Sequence, residues 1–113
     1  MLTRDQILGA GDLAVESIDV PEWGGSVCIR VLTGAERDRF EQEIQSAKGK
    51  PIDNVRARLV ALCVCDDQGL RLFTSADIAA LGEKSATALD RIFTRSLSVN
   101  KLNSDDVETA KKN

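Results

Sequence analysis

The residues of this chain that could carry chemistry are three cysteines and a run of acidic side chains, and histidine is absent. Without histidine the chain lacks the imidazole base of serine and cysteine hydrolases, and the ligand that many zinc sites combine with cysteine. Cys63 and Cys65 are separated by one residue, whereas redox pairs and structural zinc sites use Cys-x-x-Cys. The third thiol is Cys28, so we expect reduced, cytosolic thiols and no disulfide framework.

The acidic run could support general acid–base catalysis only if two of its carboxylates shared a cleft. Its members are Glu36, Asp38, Glu41 and Glu43. Arg37 and Arg39 stand four residues before two of these carboxylates, which is the spacing of ion pairs on a solvated helix face. We therefore predict the pairs Arg37–Glu41 and Arg39–Glu43. The sequence indicates no catalytic residue, no metal site and no cofactor, and we expect a protein that is not an enzyme.

Trp23 is the candidate interaction residue, and the two residues that follow it are Gly24 and Gly25. A lone tryptophan beside glycines at a turn either folds back over the core or is exposed as a binding anchor, and the sequence leaves both open. A two-stranded ribbon is marginally stable unless it packs on something. We therefore assign Trp23, Gly24 and Gly25 to contacts between copies or with a partner.

The elements that position this turn are two alternating runs, which predict a β-hairpin over residues 13–32. In the first run Leu13 and Val15 are out of phase with Ile18 and Val20. One extra residue, a bulge near 16–17, would place all four on a single buried face.

Helices are predicted over most of the remaining chain, with a helical core over residues 34–99. The N-terminal ten residues predict a short helix capped by Thr3, with Ile7 and Leu8 facing inward. The other predicted caps are Thr33, with Glu36 completing a capping box, then Asp53, Thr74 and the region of Ser85. Cys63 is expected to fill the face of the second core helix, and Cys65 to lie near its end. The predicted main core is Leu59, Leu62, Leu89, Ile92 and Phe93.

The sequence as a whole predicts a single domain over 1–113, of α+β class and mostly α: an N-terminal β-hairpin followed by a bundle of four to five helices. Residues 104–113 are expected to form a weakly packed C-terminal helix or tail. The 113 residues carry 15 basic and 18 acidic side chains, for a net charge of −3. Because duplex DNA and anionic membranes are recognised by clustered Lys and Arg, neither is expected as a partner.

Two stretches of the sequence resemble the tail assembly chaperones of long-tailed, siphovirus-type bacteriophages and prophages. One runs from Val20-Pro21-Glu22-Trp23-Gly24-Gly25 through the second strand to Leu32-Thr33-Gly34-Ala35-Glu36-Arg37-Asp38. The other runs from Cys65-Asp66-Asp67-Gln68-Gly69-Leu70 through Asp77-Ile78 to Leu89-Asp90-Arg91-Ile92-Phe93. Their order and spacing extend the resemblance over residues 3 to 111.

The resemblance implies a non-enzymatic morphogenesis factor that coats the tape measure protein before tail-tube subunits polymerise around it. It implies further that the tube protein is a second partner, that the chain forms ring or spiral homo-oligomers, and that it acts in the host cytoplasm and is absent from the mature virion. A longer form made by a frameshift near Lys111-Lys112-Asn113 is also implied. The residues alone leave two other functions open: a small regulatory or antitoxin-like binding module, and a head–tail connector.

Overall fold

The computed structural model describes residues 1–102, which form five α-helices and a three-stranded sheet. The elements follow in the order α1 Arg4–Leu8, β1 Val15–Val20, β2 Gly25–Arg30, α2 Gly34–Ser46, α3 Val55–Cys63, β3 Val64–Cys65, α4 Ile78–Gly82 and α5 Ala86–Asn100. Short 3-10 turns at Pro21–Trp23 and Ser75–Asp77 precede β2 and α4. The predicted C-terminal helix and the frameshift region lie outside the described residues.

Strands β1 and β2 pair antiparallel without interruption from Val15↔Arg30 to Val20↔Gly25. The predicted bulge near residues 16–17 is therefore wrong. Glu16 takes the inward position that the prediction reserved for an apolar side chain, and its carboxylate pairs with Arg95 of α5. Because that charge is neutralised by Arg95, the strand keeps its register and leaves Val15 on the outer face, 40% exposed.

The sheet has a third strand that the sequence analysis missed. Strand β3 pairs antiparallel with β2 through Ile29↔Val64 and Cys28↔Cys65. Helix α3 ends at Cys63, so Cys65 lies two residues past the helix end, as predicted, but in a strand opposite Cys28 that the sequence did not predict. The following turn is the predicted one, because the Asp66 carboxylate accepts from the amides of Gln68 and Leu70 at 2.8 and 3.0 Å.

The core lies between the inner face of the sheet and two packed helices, α3 and α5. Helix α5 buries the predicted Leu89, Ile92 and Phe93, while Leu59 of α3 is also fully buried and Leu62 is half-buried. The sequence predicted a single buried stripe along α3. The helix is instead buried on nearly all sides, because α4 also packs against it.

The helix caps agree with the sequence at four positions and disagree at one. Thr3, Thr33 and Thr74 each form a capping box, and the Ser85 hydroxyl accepts from the Ala88 amide. The predicted cap at Asp53 is wrong, because α3 begins after Asn54 in a left-handed conformation, φ 55°. The Asn54 carboxamide lies so close to Gly82 that an added Cβ there would be 2.5 Å from its oxygen.

The N-terminal arm, residues 1–14, packs differently from the prediction. Every residue of the arm is exposed, including Ile7 and Leu8, which were expected to face inward. The prediction failed because it assumed that a capped amphipathic helix has a core to face, and α1 extends away from the sheet instead.

The described chain is thus mixed α/β and about half helical, with more sheet than the predicted hairpin and bundle. Its N-terminal hairpin agrees with the prediction. Within residues 1–102 no helix is both long enough and apolar enough to cross a membrane.

Candidate protein-binding surface

The tip of the hairpin is built by two residues with fixed backbone preferences. Pro21 opens the 3-10 turn, where its preset φ fits and its missing N–H is not needed. Gly24 closes the turn in the left-handed region, φ 72°, and its N–H donates to the Pro21 carbonyl at 3.1 Å. A residue with a Cβ would be strained at Gly24, so the glycine fixes where Trp23 lies.

Trp23 is partly buried. Its side chain is 38% exposed, and it lines a surface pocket of about 370 Å³ together with Phe73 and Leu81. Asp77 and Lys84 complete the lining with opposite charges, and Ala80 adds a small apolar side chain. We call this the tip pocket (Trp23, Phe73, Asp77, Ala80, Leu81 and Lys84). Of the predicted site residues, Trp23 is in the pocket lining, while Gly24 and Gly25 only position it.

Two ion pairs attach the hairpin to helix α5. The Glu22 carboxylate accepts from Arg91 Nε with both oxygens at 2.9 Å, and Glu16 pairs with Arg95. The pKa of Glu22 is lowered by a hydrogen bond from its own backbone amide and by the hydrogen bond from Arg91. The Glu22–Arg91 pair holds the tip beside α5, where Trp23 lines a pocket with Ala80 and Leu81 of α4. The Glu16–Arg95 pair holds the other end of β1 against α5.

The acidic residues do not form a paired-carboxylate cleft. Glu36 turns away from solvent and accepts from Arg30 Nη2 at 2.9 Å, and the Arg30 residue is only 5% exposed. Burial raises the pKa of Glu36, but the hydrogen bonds from Arg30 and from Thr33 together outweigh it and leave the pKa lowered. The predicted pair Arg37–Glu41 is present at 3.5 Å.

Glu43 departs from the predicted pairing with Arg39. It lies 3.7 Å from Arg58 of α3. That contact joins α2 to α3, so the carboxylate links two elements of the fold, where the sequence predicted a pair within one helix.

The thiols are placed for packing. Burial raises the pKa of the Cys63 thiol to about 11. Burial, and then the neighbouring Cys28, raise the pKa of Cys65. Both shifts disfavour the thiolate, which is the nucleophile and the metal ligand. Among residues 1–102 no group of three or more His, Cys, Asp or Glu side chains is arranged to hold a metal ion.

Asn100 is a structural residue that lies just beyond the helical core predicted over residues 34–99, as the last residue of α5. Its Oδ1 accepts from the Leu32 amide at 2.8 Å, and its Nδ2 donates to the Ser96 carbonyl at 3.0 Å. Its own carbonyl accepts from Arg37 at 2.7 Å. A single buried side chain thus joins the end of α5 to the junction of β2 and α2, and no local sequence pattern signals a contact across 68 residues.

A second exposed apolar surface was also missed. Leu70 and Leu72 are 68% and 56% exposed. They flank Arg71, which forms an isolated bridge with Cys65 of β3. The alternation of side chains along a strand would place the two leucines on the same side of this segment. We call this pair the apolar edge. The turn before it lies against β1, because a Cβ added to Gly69 would be 3.5 Å from Val15 Cγ2.

Comparison with known proteins gives two positive findings. A family model described as phage tail assembly chaperone matches residues 12–112. The solved structure of the bacteriophage HK97 tail assembly chaperone is similar in fold, with a TM-score of 0.62 and 18% sequence identity. That match covers 88% of this chain and 94% of the HK97 chain. No curated protein sequence matches the chain in the comparison.

Proposed function

Because the chain belongs to the phage tail assembly chaperone family, we propose that it binds and coats the tape measure protein during tail morphogenesis. In this role it is a non-catalytic, self-associating protein. It acts in the cytoplasm of the bacterial host, hands the tape measure to the tail tube protein, and is absent from the mature virion. The family favours this role over a regulatory module or a head–tail connector.

The proposal is supported chiefly by the number of large apolar side chains that the fold leaves exposed to solvent. Nine such side chains are exposed among the described residues: Met1, Leu2, Ile7, Leu8, Leu13, Val15, Trp23, Leu70 and Leu72. Exposed apolar residues scattered singly are ordinary, but clusters of them mark interaction sites. Here five lie in the N-terminal arm, Trp23 lines the tip pocket, Leu70 and Leu72 form the apolar edge, and Val15 lies on the outer face of β1.

The apolar edge is the surface that we assign to the tape measure. A tape measure protein is a long helical chain that exposes apolar stripes until the tube encloses it, and such stripes pack into apolar surfaces by side-chain contact. Leu70 and Leu72 are two residues apart, which is about 7 Å along an extended segment, a spacing that can straddle a helix stripe. Arg71, between them, donates to the Ala61 carbonyl and fixes the segment to α3.

Weak contacts suit a chaperone that must later dissociate from the tape measure protein. Two leucines per copy give modest affinity, but many self-associated copies along one tape measure bind together by avidity. The tube protein can then displace them one copy at a time, because no single contact is strong.

The test is binding of single, fluorescently labelled tape measure segments, measured by anisotropy, so that avidity plays no part. Leu70→Ser combined with Leu72→Ser should abolish binding while the far-ultraviolet circular dichroism stays unchanged, because both side chains are exposed. Leu2→Ser is the matched control, since Leu2 is 70% exposed but lies outside the edge. Binding that survives the double substitution contradicts the assignment of this edge, and a wild-type chain that binds no segment contradicts the proposed function.

A further inference from the structure

The N-terminal arm presents a folded but unpartnered helix. Helix α1 has five residues, yet its cap is complete: Gln6 N donates to Thr3 Oγ1 at 3.2 Å, and Thr3 N donates to Gln6 Oε1 at 2.9 Å. Isolated helices this short are marginal in water even when capped, so packing against another surface would stabilise α1. The match to the family begins at residue 12, so α1 lies outside it.

The residues of α1 present one apolar side chain flanked by two charges. Leu8 lies four residues after Arg4 and three after Asp5, so the three side chains share one face. Leu2 and Ile7 occupy the positions of a hydrophobic staple on the neighbouring face. Leu8 itself is 68% exposed.

The tip pocket has the complementary arrangement. Its walls are Trp23, Phe73 and Leu81, and its two charged lining residues are Asp77 and Lys84. Arg4 and Asp5 pair with each other at 2.9 Å in the exposed arm. Docking of Leu8 would let them exchange that pair for contacts with Asp77 and Lys84. Apolar burial and both charge signs therefore agree.

The two surfaces lie at opposite ends of the hairpin. The arm joins β1 at Val15, whereas the pocket lies at the tip beyond Val20, and a six-residue strand separates them by about 17 Å. An arm of one copy that enters the pocket of another leaves one free arm and one free pocket. Such head-to-tail contacts are heterologous, and they propagate into rings or open helical filaments.

We propose that the arm of one copy docks Leu8 of α1 into the tip pocket of the next copy. The proposal rests on the self-association proposed above and not on binding of the tape measure. It assigns Trp23 to a contact between copies. Docking buries the indole of Trp23, the single tryptophan of the chain, so its fluorescence reports occupancy of the pocket.

The experiment mixes two full-length variants that are each defective on one side. Leu8→Ser removes the arm's apolar side chain, and Ala80→Glu places a charge in the pocket from an exposed position of α4. Each variant alone should be monomeric by light scattering, with self-association weakened about thirtyfold or more, the loss typical of a buried anchor. Mixed one to one they should form a heterodimer and no higher species, because each retains one intact surface.

Matched controls separate this effect from loss of fold. Ala79→Glu is the neighbouring exposed position of α4 and does not line the pocket, and Ala10→Ser changes an exposed arm residue outside α1. Both should self-associate like the wild type. The thermal midpoints of all four variants should also stay close to that of the wild type.

Other results overturn the proposal in distinguishable ways. If each variant by itself remains oligomeric, the contact between copies lies elsewhere. A monomeric wild type whose tryptophan emission shifts with Leu8→Ser shows an arm folded into its own pocket. Normal self-association of Ala80→Glu, together with lost binding of tape measure segments, makes the tape measure the occupant. If tape measure segments still bind but the two variants fail to form a heterodimer, this proposal is wrong and the proposed function is unaffected.

Discussion

The helical core and the N-terminal region use their apolar side chains in opposite ways. In α3 and α5 the large apolar side chains face one another, and Leu59, Ile92 and Phe93 are fully buried. In the arm and at the hairpin tip they are left in water, with Trp23 at the boundary, 38% exposed. The difference separates two tasks in our proposal: the core residues stabilise the fold, and the exposed ones are the residues that we assign to binding. Substitutions in the two regions should therefore affect different measurements.

The largest expected effect is in the core. Phe93→Ala removes a fully buried ring between α5 and its neighbours and should lower the free energy of unfolding by about 3–5 kcal/mol. Urea denaturation in the Leu8→Ser background, which we expect to be monomeric, measures this without a contribution from self-association. A loss below about 1 kcal/mol would contradict the placing of Phe93 in the main core.

The second effect tests the polar contact between α5 and the β2–α2 junction. Asn100→Ala leaves the buried Leu32 amide without its acceptor and should cost about 1–3 kcal/mol of stability. Ser98→Ala, an exposed position on the same helix, is the control and should change stability little. Equal effects of the two substitutions would show that the Asn100 contacts contribute nothing to the stability of the fold.

These two residues also show how far the sequence could be interpreted. Phe93 follows a 3.6-residue apolar period, and Thr33 and Glu36 form a four-residue cap, so local patterns were enough to predict both. Asn100 acts on a residue far away in sequence, and the pairing of Val64 and Cys65 with β2 depends on tertiary contact, so neither leaves a local pattern. The site was predicted in part for the same reason. Trp23 and its turn glycine are local features, whereas the pocket needs Phe73 and Leu81 from another part of the chain.

The third prediction concerns Trp23, which lies between the buried core and the exposed residues. Trp23→Ala should weaken self-association by about 2 kcal/mol or more, the loss expected of a buried aromatic anchor. Its cost to folding should be smaller, because more than a third of the side chain is already exposed in the isolated chain. Sedimentation equilibrium and thermal unfolding of the same samples compare the two effects, with Trp23→Phe as the conservative control. Clear thermal destabilisation with unchanged association would instead assign Trp23 to the core of the monomer.

The smallest effect concerns the ion pair that holds the tip against α5. The pKa of Glu22 is lowered in the folded chain by its own backbone amide and by Arg91, so the folded state favours the carboxylate over its protonated form. The resulting stability is fully present above the ordinary pKa of 4.5 and is lost as the pH falls through the lower, folded value.

Glu22→Gln should therefore destabilise the chain slightly at pH 7 and should not at a pH well below 4.5, where wild-type Glu22 is itself protonated. Urea midpoints at the two pH values measure the difference, with Glu83→Gln as an exposed control on the far end of α4. The same substitution should weaken self-association more than it weakens folding, because a loosened tip no longer holds Trp23 against α4. A loss in Glu22→Gln that is independent of pH would mean that the carboxylate acts through packing, and the hairpin tip would then be part of the folded core.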